Sequence, residues 1–252
     1  MIISELNQLN EIKSLKGIYF VDDSFNFPLE RIKNLLITFI KQNYKFKWHT
    51  YIRCINVDEE LVKLMKESNC TMVFIGVESG NSQILKNMKK SENLKSLSNA
   101  INLFNKYGIF TVASFIIGFP GETEKTTIET LSFIEENAPT FYRPRLWFAD
   151  ASTPIYNLKD QFNIRGSGYK WSHNTMSSST ARKIVDDSVC SIKNSIFNPN
   201  YPIQFHMQIR GIDDNSIKTC LNKFNYCMRD RLKRKENNEN NSALIDNIKK
   251  LK

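Results

Sequence analysis

Short β-rich runs alternate with helical patterns from Gly17 to Phe148, and this alternation constrains the fold more than any other feature. Strands that are separated by helices of this length need crossover connections, so they pair in parallel. The sequence therefore predicts an α/β fold built on a parallel sheet or barrel. The predicted strands are residues 17–22, 48–53, 72–77, 111–117 and 143–149.

Residues that favour helix starts support this count. Pro28 stands where the first turn of a helix tolerates proline, while Asp58 and Thr123 can each cap the helix that follows. Leu61 and Met65 recur at helical spacing, which indicates a face that packs on the strands. These apolar residues are predicted to belong to the core.

The pattern becomes irregular after residue 150. Glycine, serine and proline predict a long loop there, and helices are predicted at about 178–197 and about 213–235. Residues 203–209 alternate apolar and polar side chains, which is typical of an edge strand or an extended segment. The predicted regions are a barrel portion at 1–150, a C-terminal extension at 151–235 and a polar, flexible tail at 236–252.

Composition excludes several classes of protein. With 252 residues, 41% of them hydrophobic, the chain can bury one sizeable core, and no apolar stretch is long enough to predict a membrane span. The net charge is +9, but the lysines are scattered, so a solvated surface is favoured over a nucleic-acid partner. Five widely spaced cysteines predict reduced thiols in a cytoplasmic protein, with no disulfide framework and no metal site.

Charged residues follow the first two predicted strands. Asp22 and Asp23 could receive an ammonium group or a metal; alternatively, one caps the next turn and the other faces solvent. Arg53 ends the second strand, and its planar guanidinium suits a ligand carboxylate. The alternative for Arg53 is a structural pair with Asp58 or Glu59.

Polar groups also follow the third and fourth predicted strands. Glu78 and Ser79 stand where a ribose could donate its hydroxyls, as the acidic residue of dinucleotide folds allows. Gly118 begins a tight bend that could expose backbone groups to an adenine edge, with Ile117 packing on the ring. The four strand ends together offer groups for an ammonium, a carboxylate, a ribose and an adenine.

This combination resembles the S-adenosylmethionine site of the radical SAM superfamily. The runs that carry the likeness are residues 20–25, 51–53, 75–80 and 117–123. Their order is similar to strands two to five of that family's partial (β/α)6 TIM-like barrel, and residues 143–149 would be the sixth strand. The resemblance covers about residues 3–150 and implies an incomplete barrel with a C-terminal, mainly helical extension.

The resemblance implies how S-adenosylmethionine would bind. Successive strand ends would contact its amino group, its carboxylate, its ribose and its adenine. The residues concerned are, in that order, Asp22 or Asp23, Arg53, Glu78 with Ser79, and Ile117 with Gly118.

Within the superfamily, the chain looks most like enzymes with an N-terminal cobalamin-binding domain, many of which methylate unactivated carbon or phosphorus centres. Residues 171–176 resemble a segment found in the branch that includes the P-methyltransferases. Trp171 and His173 are therefore candidates for the substrate side, in the extension at 151–235, although both could equally be structural. The sequence assigns neither a catalytic residue nor a particular small-molecule or peptide substrate.

The family's cysteine motif, CxxxCxxC, is not present in the chain. In the family, three such thiolates ligate a [4Fe-4S] cluster. The resemblance therefore implies that the first strand, the cluster loop and any cobalamin domain belong to an upstream-encoded N-terminal fragment, and that this chain alone is inactive. The alternatives are a cluster-free, degenerate homologue that acts as a partner or binding module, and a basic nucleic-acid-binding protein.

Overall fold

Parallel β-strands form the centre of this computed structural model, which describes residues 2–249. The strands are β1 (Gly17–Phe20), β2 (Lys47–Ile52), β3 (Cys70–Glu78), β4 (Phe110–Ile117), β5 (Phe141–Leu146), β6 (Arg165–Ser167), β7 (Lys170–His173), β8 (Met176–Ser177) and β9 (Ile196–Phe197). The main sheet has the order β1-β2-β3-β4-β5-β9, and all its pairs are parallel. A smaller antiparallel sheet contains β6, β7 and β8.

The helices of the described residues lie before, between and after the strands. They are α1 (Ile2–Asn10), α2 (Leu29–Gln42), α3 (Glu59–Glu67), α4 (Ser82–Asn87), α5 (Leu94–Lys106), α6 (Glu124–Asn137), α7 (Lys159–Phe162), α8 (Ser178–Ser191), α9 (Ile203–Ile209) and α10 (Asp214–Lys249), with a 3-10 turn at Pro154–Leu158. Helices α2 to α6 all lie in crossovers between successive strands, so the predicted parallel α/β fold is confirmed. In the described part of the chain no pairing joins β1 to β9, and the sheet is open.

The two faces of the main sheet have different neighbours. One face packs against the crossover helices, and there Trp48, Ile75 and Phe115 are fully buried. On the opposite face the Phe205 ring of α9 lies 4.1 Å from the His49 ring of β2. Helix α9 thus covers the beginning of the sheet, and the carboxyl ends of the strands border cavities.

The predicted caps are present. The Asp58 carboxylate accepts a hydrogen bond from the Leu61 amide at 2.8 Å, and the Thr123 hydroxyl accepts one from the Thr126 amide at 3.3 Å. Pro28 immediately precedes α2, where it removes no intrahelical hydrogen bond. Local sequence signals therefore set the starts of α2, α3 and α6.

Two predicted elements near the C-terminus are wrong. Residues 203–209, predicted as an edge strand or an extended segment, form α9, because the polar Gln204 and Gln208 are buried and give the segment a false alternation. The helix predicted at 178–197 ends at Ser191, and the chain then adds β9 to the main sheet beside β5. The sheet therefore has a strand that the sequence pattern did not reveal.

Helix α10 continues beyond the predicted end near residue 235, through Lys249. The polar, flexible tail was predicted at 236–252, of which residues 250–252 lie outside the described part of the chain. The predicted loop after residue 150 contains β6, β7 and β8. None of the helices within residues 2–249 has both the length and the apolar character that crossing a membrane requires.

Burial of His49 predicts a pH-dependent stability. The ring is fully buried, and burial, followed by the nearby His206, lowers the pKa of His49 to about 3. As the pH falls below about 6.5, the unfolded chain takes up a proton that the folded chain refuses, so stability falls with pH.

Replacing the ring should remove this effect. When the pH is lowered from about 6 to about 5, both proteins should lose stability. The free energy of unfolding of His49→Phe should fall by about 1 kcal/mol less than that of the parent protein. Urea unfolding at each pH measures the difference. Equal pH slopes for the parent and the variant would show that His49 is not the group responsible.

Candidate active site

Two adjoining cavities lie at the carboxyl ends of the strands. The smaller, of about 330 Å³, borders the ends of β1, β2 and β3, and the larger, of about 750 Å³, borders the ends of β3, β4 and β5. Both volumes fall within or near the range of small-molecule sites. Glu78 lines both cavities and is therefore their common wall.

A charged network forms one side of the smaller cavity. Arg53 donates through Nη2 to the Ser91 hydroxyl at 2.6 Å and through Nε to the Glu92 carboxylate at 3.4 Å. Lys90 lies 3.7 Å from the same carboxylate. Burial raises the pKa of Glu92, but Lys90, Ser91 and Arg53 outweigh burial and hold that pKa below its usual value. The carboxylate is therefore charged and fixes both cations.

Arg53 retains access to the cavity. About half of its side chain is exposed, and it lines the smaller cavity together with Asp23. Its salt-bridge partner is Glu92, so the alternative pairing with Asp58 or Glu59 is wrong. The guanidinium is positioned to receive a ligand carboxylate.

Asn26 links the ends of β1 and β2. Its side-chain amide donates to the Arg53 carbonyl at 2.7 Å, and its side-chain oxygen accepts from the Arg53 amide at 3.1 Å. Asn26 is 5% exposed, and sequence reasoning gave it no role. The reciprocal pair fixes the backbone of Arg53 relative to the loop that holds Asp23.

The two aspartates occupy different positions. Both are exposed, but Asp23 lines the smaller cavity whereas Asp22 does not line either cavity. Strand β1 ends at Phe20, two residues before the predicted end, so both aspartates lie in the loop that follows. Asp23 is thus the aspartate that the structure brings together with Arg53 and Glu78.

Glu78 combines an unusual backbone with an unpaired carboxylate. A β-bulge lies between Gly76 and Glu78, and Glu78 has a φ of 68°, which is uncommon for a residue with a side chain. Within the described residues its carboxylate has neither a hydrogen bond nor a salt bridge. Burial raises the pKa of Glu78, Lys90 opposes the rise and Glu92 adds to it. A partly desolvated acceptor without a partner is suited to hydroxyls from a ligand.

Gly76 provides the space for this carboxylate. A Cβ at position 76 would collide with Oε1 of Glu78. The glycine therefore permits the close approach that places the Glu78 carboxylate between the two cavities.

Ser79 faces away from the cavities. It is fully buried, and its hydroxyl lies 3.2 Å from that of Thr130 on α6. It also accepts a hydrogen bond from the Asn81 amide at 3.1 Å. The structure therefore places Ser79 in the contact between β3 and α6, and its predicted role toward a ribose stays a prediction.

The backbone groups of Ile117 and Gly118 already have partners. The Ile117 carbonyl accepts from the Trp147 amide at 2.9 Å, and the Gly118 carbonyl lies 3.2 Å from Nε2 of His173. Both residues are buried and line neither cavity. Their neighbours Ile116 and Phe119 line the larger cavity instead.

Glu122 holds the bend that contains Gly118. The side chain is fully buried, and its Oε2 accepts from the Gly118 amide at 2.5 Å. Burial raises the pKa of Glu122 to about 7, while the amides of Gly118 and Phe119 oppose the rise. Sequence reasoning gave Glu122 no role, although its four-residue spacing from Gly118 could have indicated a closed turn.

Trp171 and His173 pack on the same bend. The Trp171 indole donates to the Trp147 carbonyl at 2.8 Å, and the rings of Trp171 and His173 stack with centroids 5.3 Å apart. Trp171 also occupies the space that a side chain at position 118 would need. The structure brings both residues to the edge of the site but not into either cavity, and their substrate role stays a prediction.

The larger cavity is mainly apolar. Its walls come from the ends of β3 to β5, from the segment that follows β5 and from the 3-10 turn. Phe119 and Trp147 form part of the wall, and Phe148 and Tyr169 lie near the opening, each about half exposed. Such a cavity can accommodate a ring system or an apolar chain.

The described residues do not fit an iron–sulfur cluster. They contain no group of three or more His, Cys, Asp or Glu side chains that could hold a metal ion. Cys54 is buried, and burial, with Glu92, raises the pKa of its thiol to about 12, against the opposing effect of Lys90. This part of the chain therefore assembles no set of thiolate ligands for a cluster.

Comparison with known proteins identifies the family. Residues 1–134, more than half of the chain, match the model of the Radical SAM superfamily. The chain belongs to this superfamily, as its strand-end motifs predicted.

Its relatives include methyltransferases. The chain is 30% identical over 135 residues to the uncharacterized methyltransferase PH0819 of Pyrococcus horikoshii, across 54% of the chain and 29% of the relative. It is 26% identical over 162 residues to the hopanoid C-2 methylase of Rhodopseudomonas palustris, across 62% of the chain and 31% of the relative. The chain thus spans about a third of the length of these curated relatives.

A solved structure supports the fold. The radical S-adenosylmethionine methyltransferase TsrM from Kitasatospora setae, with cobalamin and a [4Fe-4S] cluster bound, matches with a TM-score of 0.57 and 19% identity. The match covers 64% of this chain and 33% of TsrM. The six parallel strands and their helices are therefore similar in arrangement to a radical SAM barrel.

The Asn26 contacts predict a stability effect. Asn26→Ala removes two part-buried hydrogen bonds to the backbone of Arg53, so the free energy of unfolding should fall by about 2 kcal/mol. Urea unfolding measures it, with Asn102→Ala on the exposed surface of α5 as the matched control. Equal stability of the two variants would contradict a positioning role for Asn26.

Proposed function

We propose that this chain forms the S-adenosylmethionine and substrate site of a radical SAM methyltransferase. The observation that carries the proposal is the unpaired carboxylate of Glu78 between two cavities, with Asp23 and Arg53 at the far side of the smaller one. In this proposal residues 1–150 bind S-adenosylmethionine, and residues 151–235 contribute to the substrate side. The methyltransferases among the relatives support methyl transfer as the reaction.

The methionine end of the ligand fits the smaller cavity. Asp23 would receive the ammonium group, and Arg53 would bind the carboxylate through its exposed guanidinium. The ribose hydroxyls would donate to Glu78. The cation that Arg53 offers is already oriented by Glu92, so little reorganisation accompanies binding.

The adenine fits the start of the larger cavity. Phe119 and Ile116 line that part, whereas the predicted contacts, Ile117 and Gly118, have their carbonyl groups engaged by Trp147 and His173. In this proposal Glu122 keeps the bend in place from beneath. The ligand then extends from Asp23 to Phe119 and passes Glu78 at its middle.

We include cobalamin and a [4Fe-4S] cluster in the proposed function because a related enzyme contains them. The solved TsrM structure contains both. Since residues 2–249 provide no set of cluster ligands, we propose that an upstream-encoded N-terminal fragment supplies the cysteines and that the chain alone does not catalyse methyl transfer. Cobalamin would act in methyl transfer to an unactivated carbon or phosphorus centre.

A second candidate is a cluster-free homologue that acts as a binding module or partner. The observation that favours it is the chain's own cysteine pattern, which contains no CxxxCxxC. Such a module would retain the two cavities but would not catalyse methyl transfer.

The affinities of the chain for a truncated and a complete ligand test the proposed site. 5′-Methylthioadenosine retains the ribose and adenine of S-adenosylmethionine but has no amino-acid end. Glu78→Gln should weaken the binding of both ligands by roughly 5- to 150-fold, because each loses hydrogen bonds to a charged acceptor. Arg53→Met should weaken the binding of S-adenosylmethionine alone. Isothermal titration of the 252-residue chain measures both affinities.

Glu136→Gln is the matched control, because Glu136 is exposed on α6 and lines neither cavity. It should bind both ligands like the parent. Unchanged affinities in Glu78→Gln, or an equal loss for both ligands in Arg53→Met, would sink the proposed placement.

The DNA upstream of the Met1 codon distinguishes the two candidates. RNA sequencing across that junction should show a frame that encodes CxxxCxxC if the chain works within a radical SAM methyltransferase. Without such a frame, the binding module would be favoured and the catalytic proposal would be withdrawn.

A further inference from the structure

Two arginines of β5 lie on the same face of the main sheet. Arg143 and Arg145 are two residues apart on one strand, so their side chains leave the same face. They stand in register with Ser114 and Ile116 of β4, and both of these residues line the larger cavity together with Arg145. Arg145 therefore presents its guanidinium group to the space where the substrate would bind, whereas Arg143 does not line either cavity.

These arginines have no counter-ion in the part of the chain that the structure describes. Neither makes a hydrogen bond or a salt bridge there, although Arg143 is half-buried. Burial, followed by Arg145, lowers the pKa of Arg143, and Tyr51 and Tyr201 only partly oppose this. The two like charges repel each other, and an anion beside them would relieve that repulsion.

The acidic residues nearby are engaged elsewhere. Glu92 pairs with Arg53 and Lys90 in the smaller cavity. Asp150 accepts hydrogen bonds from the backbone and hydroxyl of Ser152. The larger cavity is left with Glu78 as its acidic lining residue.

The charge lining the larger cavity is therefore positive. Arg145 and Lys89 both line it, and Lys89 makes no side-chain hydrogen bond or salt bridge within the described residues. Glu78 also lines this cavity, and in the proposed function the ribose of the nucleoside would occupy its carboxylate. A guanidinium presents a planar fork that matches a carboxylate or phosphate oxygen pair.

The rest of the wall selects an apolar body. Phe148 and Tyr169 form a T-shaped pair at the opening, with ring centroids 4.9 Å apart. Ile155 and Leu158 of the 3-10 turn complete this side of the cavity. Burying these groups against an apolar ring or chain is more favourable in free energy than burying them against a polar molecule.

We propose that the larger cavity binds a methyl acceptor with an apolar ring or chain that carries one oxyanion, and that Arg145 recognises the oxyanion. This inference deepens the proposed function and rests on it, because the nucleoside end of S-adenosylmethionine would occupy the remainder of the same cavity. A carboxylate and a phosphate monoester share the chemistry that Arg145 would recognise.

Two probes of equal shape test this assignment. 2-Naphthoate carries an oxyanion on an apolar ring pair, and 2-naphthamide is its neutral counterpart. Fluorescence titration of the 252-residue chain should give at least about tenfold tighter binding of the naphthoate. Arg145→Met should reduce this ratio to near one, whereas Arg182→Met, an exposed arginine of α8 away from both cavities, should leave it unchanged.

Salt gives a test that needs no variant. Raising NaCl from about 50 mM to about 500 mM should weaken naphthoate binding and leave naphthamide binding nearly unchanged, because only the charged pair is screened. Equal affinities of the two probes at low salt, or a preference that survives in Arg145→Met, would overturn the oxyanion assignment.

5′-Methylthioadenosine, titrated into the same samples, separates this inference from the proposed function. If the nucleoside binds through Glu78 and naphthoate has no preference over naphthamide, the oxyanion assignment fails and the proposed function stands. If naphthoate binds through Arg145 and the nucleoside does not bind, the proposed function fails and Arg145 remains an oxyanion site. Titration with 2-naphthyl phosphate then distinguishes a carboxylate from a phosphate monoester. Whichever of naphthoate and naphthyl phosphate binds more tightly indicates which anionic group the methyl acceptor carries.

Discussion

Parallel pairing from β1 to β5 brings five strand ends to one edge of the sheet, and every feature of the candidate site depends on this constraint. Loops at such an edge can contribute side chains from distant parts of the sequence to one ligand. Asp23, Arg53 and Glu78 are far apart along the chain but line one small cavity. In the proposed function, the order of strands would also set the order of ligand groups, from the ammonium end after β1 to the adenine end after β4.

Two buried glutamates, Glu92 and Glu122, and the partly buried Glu78 have different electrostatic roles at the site. Glu92 is charged and fixes the cations Arg53 and Lys90, and Glu122 closes the bend after β4. Among the residues that the structure describes, Glu78 makes no side-chain hydrogen bond or salt bridge, although Lys90 acts on its pKa. Their pKa values follow these surroundings, lowered for Glu92 and raised for Glu78 and Glu122. Two of the carboxylates therefore stabilise the frame of the site, and Glu78 is the one available for a ligand.

Much of this arrangement was predictable from the sequence. The caps Asp58 and Thr123 and the alternation of strands and helices are local signals, so they located the parallel sheet and its carboxyl edge correctly. Strand-end polarity also indicated Arg53 and Glu78 as candidates, and both line the smaller cavity. These features are determined by residues that are close together along the chain, so they can be predicted without knowledge of tertiary contacts.

Other features depend on tertiary contacts that no local pattern records. Gln204 and Gln208 are polar but buried, and this made α9 resemble a strand. His173, 55 positions from Gly118 along the chain, contacts the Gly118 carbonyl group. The sequence had suggested that this backbone group was available to a ligand. Asn26, 27 residues from Arg53, was likewise invisible as a positioning residue.

A crystal structure of the 252-residue chain soaked with S-adenosylmethionine would test the ligand site most directly. The ribose hydroxyls should lie within hydrogen-bond distance of the Glu78 carboxylate, about 2.5–3.0 Å, with the carboxylate of the methionine end on Arg53. A ribose bound elsewhere, or a Glu78 carboxylate paired with a protein cation while the ligand is present, would contradict the proposed site.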